Sequence, residues 1–269
     1  MTKNEEINLP ACLDSVSWSD DVHVLDSYSE DRTVEIARDR GAIVTLRPFD
    51  NFADQQNYGL EQLPFRYDWV FCIDADERCT ASLKQAMADA VRSPKGHVAF
   101  NVRRRDFFMG RWLRHVQATA YYPRLSRRFS LRYQRLVHSV PLIDGSVGTL
   151  SGYLDHYPFS KGIGDWVSKH NLYSTLEALQ HVAERKDGVR FSWRTALLGR
   201  DRVERRRHLK GLFYGMPARP LLKFLWLYLW KAGFLDGRPG FVYALLIAFY
   251  EEMIVLKTEE LERGVHLRT

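Results

Sequence analysis

Trp69-Val70-Phe71-Cys72-Ile73, followed at once by Asp74-Ala75-Asp76-Glu77, is the stretch that decides the fold. Its first five residues form an unbroken apolar, β-prone run, the pattern of a strand buried on both faces. Acidic residues begin where that strand ends. In open α/β sheets, ligands bind beyond the carboxyl ends of the strands. Asp74 and Asp76 can point to the same side there and offer hard oxygen ligands for Mg²⁺ or Mn²⁺, which in turn would grip a diphosphate. The plainer reading is an ordinary acidic loop; the buried strand in front of it favours the metal.

Upstream, strand and helix patterns alternate. Leu9 to Val16 reads as a helix and Val22-His23-Val24-Leu25 as a short strand ending in Asp26. Ser29 is placed to cap a helix through Thr33-Val34-Glu35-Ile36-Ala37 that stops near Gly41. Ala42 to Leu46 is a second strand and Phe52 to Leu63 a helix; beyond the acidic motif, Leu83 to Val91 reads as a helix and His97 to Val102 as a strand. This spacing predicts an α/β fold, a mostly parallel sheet with helices on both faces. Such a domain begins with a buried strand, yet this chain opens in a loop and a helix, so a first strand is expected to be missing. Asp26, with Ser27-Tyr28-Ser29-Glu30-Asp31, is either a turn and helix cap or a second acidic strand end on the same sheet edge.

Residues 103 to 157 are mixed, with short strand patterns at Ala120-Tyr121-Tyr122, Arg132-Tyr133 and Gly152 to Tyr157. Lys161 to Lys186 has helical spacing, and Phe191 to Leu212 reads as one basic amphipathic helix. Pro220 to Trp230 and Phe241 to Ile254 are apolar, and Gly237, Pro239 and Gly240 break the pattern between them. Each is too short to span a bilayer comfortably. Their aromatic and basic flanks suit an interfacial helical hairpin, against a buried core or a partner-binding face. The division expected is residues 1–157 as an α/β domain carrying the acidic motif and 158–269 as a helical, membrane-interfacial region.

The chain has 269 residues, 45% of them apolar and 13% aromatic, which argues against disorder. Its three cysteines, Cys12, Cys72 and Cys79, form no CxxC pair, which argues against a disulfide framework or a zinc site. The opening Met1-Thr2-Lys3-Asn4-Glu5-Glu6 is polar and does not read as a leader. A formal charge of +6 and clustered arginines, Arg103-Arg104-Arg105 and the run Arg200 to Lys210, point to an anionic partner or to solvated helix faces.

Four segments then fall in order: Thr2-Lys3-Asn4-Glu5-Glu6, Val24 to Thr33, Asn57-Tyr58-Gly59-Leu60 and Asp74-Ala75-Asp76-Glu77. Together they resemble glycosyltransferase family two, the inverting enzymes of GT-A fold, and most of all the bacterial branch that builds lipopolysaccharide core and surface polysaccharide. The similarity continues through Arg104 to Trp112, Val137-His138 and Gly233 to Gly237. The resemblance implies a nucleotide-sugar site of Thr2, Asn4, Glu5, Asp26, Ser27, Asn57, Asp74 and Arg104. Asp26 would read a uracil-like base, Asn57 would lie near the diphosphate, and Asp74 and Asp76 would hold Mg²⁺ or Mn²⁺. Two departures stand out. Gln56 occupies a position often basic in that family, and Ser139 follows His138 where a Glu is common.

The reaction implied is a single displacement with inversion, Asp76 acting in catalysis with Asp106 or His138 as the candidate base. His156, Tyr157 and Trp166 are candidates for an acceptor pocket. The acceptor implied is lipid-linked or lipopolysaccharide core, met at the cytoplasmic face of the inner membrane by a peripherally bound enzyme with no nucleic-acid partner. Rival readings are a nucleic-acid-binding basic protein, a catalytically inactive nucleotide-binding relative, and a nucleotidyltransferase that would release pyrophosphate.

Overall fold

The computed structural model describes residues 1–117, 121–134, 140–186, 191–199, 201–214, 216 and 218–264. The chain forms two compact units, Met1–Trp112 with Ala118–Gly162, and Leu113–Gln117 with Ile163–Thr269.

The first unit is α/β. In chain order it contains α1 (Leu9–Ser15), β1 (His23–Asp26), α2 (Thr33–Asp39), β2 (Ile43–Leu46), α3 (Phe52–Gln62), β3 (Trp69–Phe71), β4 (Glu77–Cys79), α4 (Ala81–Arg92), β5 (His97–Phe108), β6 (Arg111–Trp112), β7 (Tyr121–Arg127), β8 (Leu131–Gln134), β9 (Val140–Ile143) and β10 (Ser146–His156). β1 and β2 pair in parallel. The larger sheet runs β3-β7-β5-β10-β4, with β6 attached to β5. Within it β5 and β10 are parallel, and β7 runs antiparallel to both β3 and β5. The β8–β9 pair is separate.

Local chemistry fixes the helix starts. Asn51 accepts the Asp54 N–H at the head of α3, and Thr80 accepts the Leu83 N–H at the head of α4. Thr80 also donates to the Tyr153 carbonyl at 2.7 Å, tying α4 to β10. Ser29 caps no helix. Its hydroxyl donates to Asp26 instead, and α2 begins at Thr33, whose N–H is taken by Asp31. The core under the larger sheet gathers Val16, Leu83, Met87, Phe100, Val102, Leu125 and Leu154. Gly152 permits this packing. Its φ is +91°, and a Cβ there would sit 2.7 Å from the Leu83 backbone nitrogen.

The second unit is helical: α5 (Gly162–Lys186), α6 (Trp193–Leu198), α7 (Arg202–Tyr214), α8 (Arg219–Leu225) continuing as a π turn over Trp226–Trp230, a 3₁₀ turn over Gly233–Asp236, and α9 (Gly237–Glu262). The single helix expected from Phe191 to Leu212 is two, since α6 ends at Gly199. Gly237 and Pro239 do not keep the last helix from forming; they start it, because a first-turn proline gives up an N–H that has no helical partner anyway. As a result Gly233–Glu262 is long and apolar enough, by length and composition, to cross a bilayer.

Two polar features hold this unit. Arg219 and Glu251, both buried, pair through Nη2 at 2.8 Å and join α8 to α9. Asp236, 1% exposed, accepts the backbone N–H groups of Arg114, His115 and Val116 at 3.1, 3.0 and 2.8 Å. Its carboxylate thereby fastens the Leu113–Gln117 segment. One stretch of the helical surface is rich in open apolar side chains: Trp226, Leu229, Trp230, Phe234, Phe241, Leu245 and Phe249 are all exposed, Trp230 at 84%. The ammonium of Lys231 lies 5.1 Å from the Trp226 ring.

Candidate active site

The acidic motif lies on the connection between β3 and β4, closed by a Glu77 N–H donating to the Asp74 carbonyl at 3.0 Å. Three strands converge on it. β7 brings Arg124. β10 brings His156, whose Cα faces Glu77 of β4 on one side and Asp106 of β5 on the other. β5 also supplies Arg104.

Neither motif aspartate stands free. Arg124 Nη2 lies 2.7 Å from both Asp74 Oδ2 and Glu77 Oε1. Glu77 is fully buried, and its other oxygen accepts the Asp74 N–H at 2.9 Å. His156 joins two carboxylates: its Nε2 is 3.3 Å from Asp76 Oδ2, and its Nδ1 makes a short contact with Asp106 Oδ1. Arg104 Nε lies 3.0 Å from the same Asp106 oxygen. The cluster is therefore four carboxyl groups interleaved with two guanidinium groups and an imidazole.

The surroundings shift these groups in different directions. Burial pushes the Glu77 carboxyl up to about 7, with Arg124 opposing. Burial would also raise Asp74, but the charge and hydrogen bond of Arg124 outweigh it and hold that carboxyl below the ordinary range. Burial disfavours the charged form of His156, yet its hydrogen bonds to Asp106 and Asp76 prevail and raise the imidazole to about 9. At neutral pH it is a cation facing Asp76.

The nucleotide-side residues form a second cluster. Asp26 is fully buried; its carboxylate accepts from the Thr2 hydroxyl at 2.7 Å, the Ser29 N–H at 2.8 Å and the Ser29 hydroxyl at 2.6 Å. Here it orders a loop and faces no open space. Asn4 (φ +54°) accepts the Glu30 N–H, and its own N–H donates to Ser29. Glu5 pairs with Lys161 at 2.7 Å and accepts from Asn8. Ser27 pairs by backbone with Thr2 and accepts from Gln55. Asn57 is committed elsewhere: its amide donates to the Tyr133 carbonyl at 2.9 Å and accepts the Tyr133 N–H at 2.8 Å, mimicking a strand pair with β8. Asp106 is 2% exposed and enclosed by Arg104 and His156. His138 and Ser139 lie outside the described residues. Trp166 is buried in the helical unit, stacked on His170.

A cavity of about 570 Å³ lies next to the motif, since Tyr157, one of its lining residues, donates its N–H to the Asp76 carbonyl. Phe107, stacked on Tyr157, and Arg78 also line it. Arg124 and Glu77 are the two members of this cluster that the sequence does not single out. Neither has a local signal, because each is defined by a partner roughly fifty residues away.

The family model described as Glycosyl transferase family 2 matches residues 1–148, over half of the chain. The chain belongs to that family. This family-2 glycosyltransferase is 29% identical over 270 residues to the lipopolysaccharide core biosynthesis glycosyltransferase LpsC of Rhizobium meliloti, covering 91% of this chain and 87% of the relative. An uncharacterized glycosyltransferase of Rickettsia typhi is 25% identical, covering 97% and 85%. A TPR repeat-containing protein of Synechococcus elongatus is 31% identical over 153 residues, 55% of this chain and 35% of its own.

As a donor set for a divalent cation, Asp74 and Asp76 are incomplete but suitable. Among the described residues, no group of three His, Cys, Asp or Glu stands close enough to hold an ion alone. The Asp74 side chain is 41% exposed, so it can take a further ligand besides Arg124. Mg²⁺ and Mn²⁺ accept such sites, because they keep waters and draw oxygens from a phosphate-bearing substrate.

Proposed function

We propose that this glycosyltransferase moves a sugar, with inversion, from a nucleotide-sugar of the UDP class onto a lipid-linked or lipopolysaccharide-core acceptor at the cytoplasmic face of the inner membrane. The observation that carries this reading is the convergence of Asp74 and Asp76 with Arg124, Arg104 and His156 at the rim of the sheet. Membership of family 2 and the similarity to LpsC support the chemistry and the class of acceptor.

When bound at Asp74 and Asp76, a divalent cation would supply Lewis-acid relief of the charge on a departing diphosphate. The protein's own groups serve the same end. His156, held cationic by Asp106, and Arg124 set fixed positive charge beside the two aspartates, and such preorganised charge needs no rearrangement during reaction. Asp106 acts through His156, orienting the ring by its Nδ1 contact. Asp26 holds Thr2 and Ser29, and so shapes the loop against which the nucleoside would rest. The Tyr157–Phe107 cavity offers aromatic faces for a sugar ring.

The exposed aromatics from Trp226 to Phe249, with Lys223 and Lys231 beside the Trp226 ring, support docking on a bilayer surface, where aromatic side chains sit at headgroup level and cations meet anionic lipid. The test is a thermal-shift screen of UDP-, GDP- and CDP-sugars with and without Mn²⁺, followed by turnover against lipid-linked acceptors. UDP-sugars should stabilise the protein only with the metal, and Asp76→Ala should lose both that shift and at least about a hundredfold of kcat. No metal-dependent response to any nucleotide would refute the proposal. Binding without turnover would favour the inactive-relative reading.

A further inference from the structure

The cavity of about 570 Å³ beside the acidic motif meets the motif's backbone and not its carboxylates. Arg78 and Tyr157, both on its wall, hold that backbone. Arg78 Nη1 donates to the Ala75 and Glu77 carbonyls at 2.8 and 2.7 Å, and the Tyr157 N–H donates to the Asp76 carbonyl at 2.9 Å. Asp74 and Asp76 are engaged instead by Arg124 and His156, and none of these four lines the cavity. A ligand in the cavity therefore lies next to the reacting centre and outside it.

Three features of the wall point to the chemistry of that ligand. Phe107 stacks on Tyr157 with ring centres 5.2 Å apart, and the ring of Phe108 lies 4.1 Å from that of Phe159. Aromatic faces are apolar and electron-rich, and they suit the C–H face of a pyranose. Arg78 is the second feature. It forms no ion pair among the described residues, and its guanidinium lies 5.6 Å from the Tyr157 ring centre. Asp155, its register neighbour on β10, is already taken by Arg105 at 2.9 Å. A guanidinium matches a carboxylate or a phosphate in both shape and charge. The third is Asn8, 1% exposed, which gives its Nδ2 to Glu5 at 2.7 Å while its Oδ1 has no hydrogen-bond partner among the described residues. A buried acceptor of this kind calls for a donor, and a sugar hydroxyl is one.

We propose that this cavity seats an anionic sugar unit of the acceptor, one bearing a carboxylate or a phosphate and not itself glycosylated. Its ring lies against Phe107 and Tyr157, its charge meets Arg78, and a hydroxyl donates to Asn8 Oδ1. The inference rests on the sugar-transfer reading above and narrows it to acidic acceptors. Binding a remote unit in this way orients the acceptor and contributes to kcat/KM without touching the reacting atoms.

The test uses three sugars that differ at one carbon: glucose, glucuronate and glucose 6-phosphate. Each is titrated into protein with ¹³C-methyl methionine, and the Met109 methyl on the cavity wall, assigned by Met109→Leu, reports occupancy. At least one of the two acids should bind with Kd of about 1 mM, and about tenfold or more tighter than glucose. Their separate titrations say whether the carboxylate or the phosphate is preferred. Arg78→Met should bring the acids down to the level of glucose, and Phe107→Ala should weaken all three. Should Arg78→Met fail to fold, added salt should weaken the acids in the wild-type protein by several-fold and leave glucose unmoved. Glucose binding as tightly as both acids, or no response of Met109 to either acid, overturns the proposal. So does an equal response to acetate or inorganic phosphate alone, since the site would then read charge without a sugar. Displacement of the acids by UDP-glucose with Mn²⁺ also overturns it, because the cavity would then belong to the donor. The sugar titrations contain no nucleotide and no metal, so their failure leaves the transfer reading standing, and a failed nucleotide screen does not alter them.

Discussion

Replacing Arg124 by Met tests the electrostatic design of the site most directly. One guanidinium nitrogen serves both Asp74 and Glu77 at 2.7 Å, and the substitution keeps the stem while removing the charge. Taking one partner out of a buried ion pair costs about 3–5 kcal/mol, because the other is left uncompensated. Two features place the present case at the low end. Asp74 is 41% exposed and regains water. Glu77 has no exposure, but burial already lifts its carboxyl to about 7, so it escapes the penalty by taking up a proton. The expected loss is about 3 kcal/mol at neutral pH, a fall in Tm of roughly 6–12 °C for the α/β unit. The sign of the pH dependence follows from linkage. A carboxyl whose folded pKa is raised binds its proton more tightly folded than unfolded, so the folded state is favoured below the unfolded value and loses ground as pH climbs through the folded one. Without Arg124 the folded value rises further. The deficit against wild type should be small near pH 5 and grow toward pH 8. Denaturation curves at several pH values, in chelator to exclude metal, measure it, and Glu77→Gln in the Arg124→Met background should recover most of the loss. A deficit independent of pH, with no recovery in the double variant, would refute this account.

Other outcomes follow from the same structure. Gly152→Ala should destabilise by more than the about 1–3 kcal/mol of left-handed strain alone; Gly41→Ala, with φ +77° and nothing within 4 Å of an added Cβ, isolates the strain, and the difference between the two in chemical denaturation measures the clash with Leu83. Asp236→Ala strands three backbone N–H groups and should cost about 2–3 kcal/mol. Burial opposes ionisation of Asp236, but those N–H groups and His115 hold its carboxyl below the ordinary value. Its contribution should therefore be complete above the unfolded carboxyl pKa of about 4 and fade as pH falls through the lower folded value, so denaturation at pH 7 and pH 3 should differ less in the variant. Trp226→Ser with Trp230→Ser should weaken sedimentation with anionic vesicles about tenfold or more while leaving Tm nearly unchanged, since both rings are exposed.

The front of the first unit was legible because its periodicities are clean. The helix at Leu9, the strands at His23 and Ile43 and the helix at Phe52 appear within a residue or two of where their patterns place them. β4 was not, because Glu77-Arg78-Cys79 is short and polar and becomes a strand only by pairing with β10. The acidic motif was legible; its counter-charges were not. Arg124 follows Asp74 by fifty residues and His156 follows Asp106 by fifty, and sheet register alone brings them together. Asn57 carried a motif signal, but in the structure its amide is spent on the β8 backbone, a long-range pairing that no linear pattern reveals.

The Asp236 clasp also bears on how the chain is made. The three N–H groups of Arg114, His115 and Val116 are translated 120 to 122 residues ahead of the carboxylate that receives them. At roughly 5–20 residues per second, that segment leaves the ribosome roughly 6–24 s before its partner exists. The helical unit cannot close until nearly the whole polypeptide has emerged, so pausing within the last third of the message would prolong the interval in which its apolar helices lack their anchor.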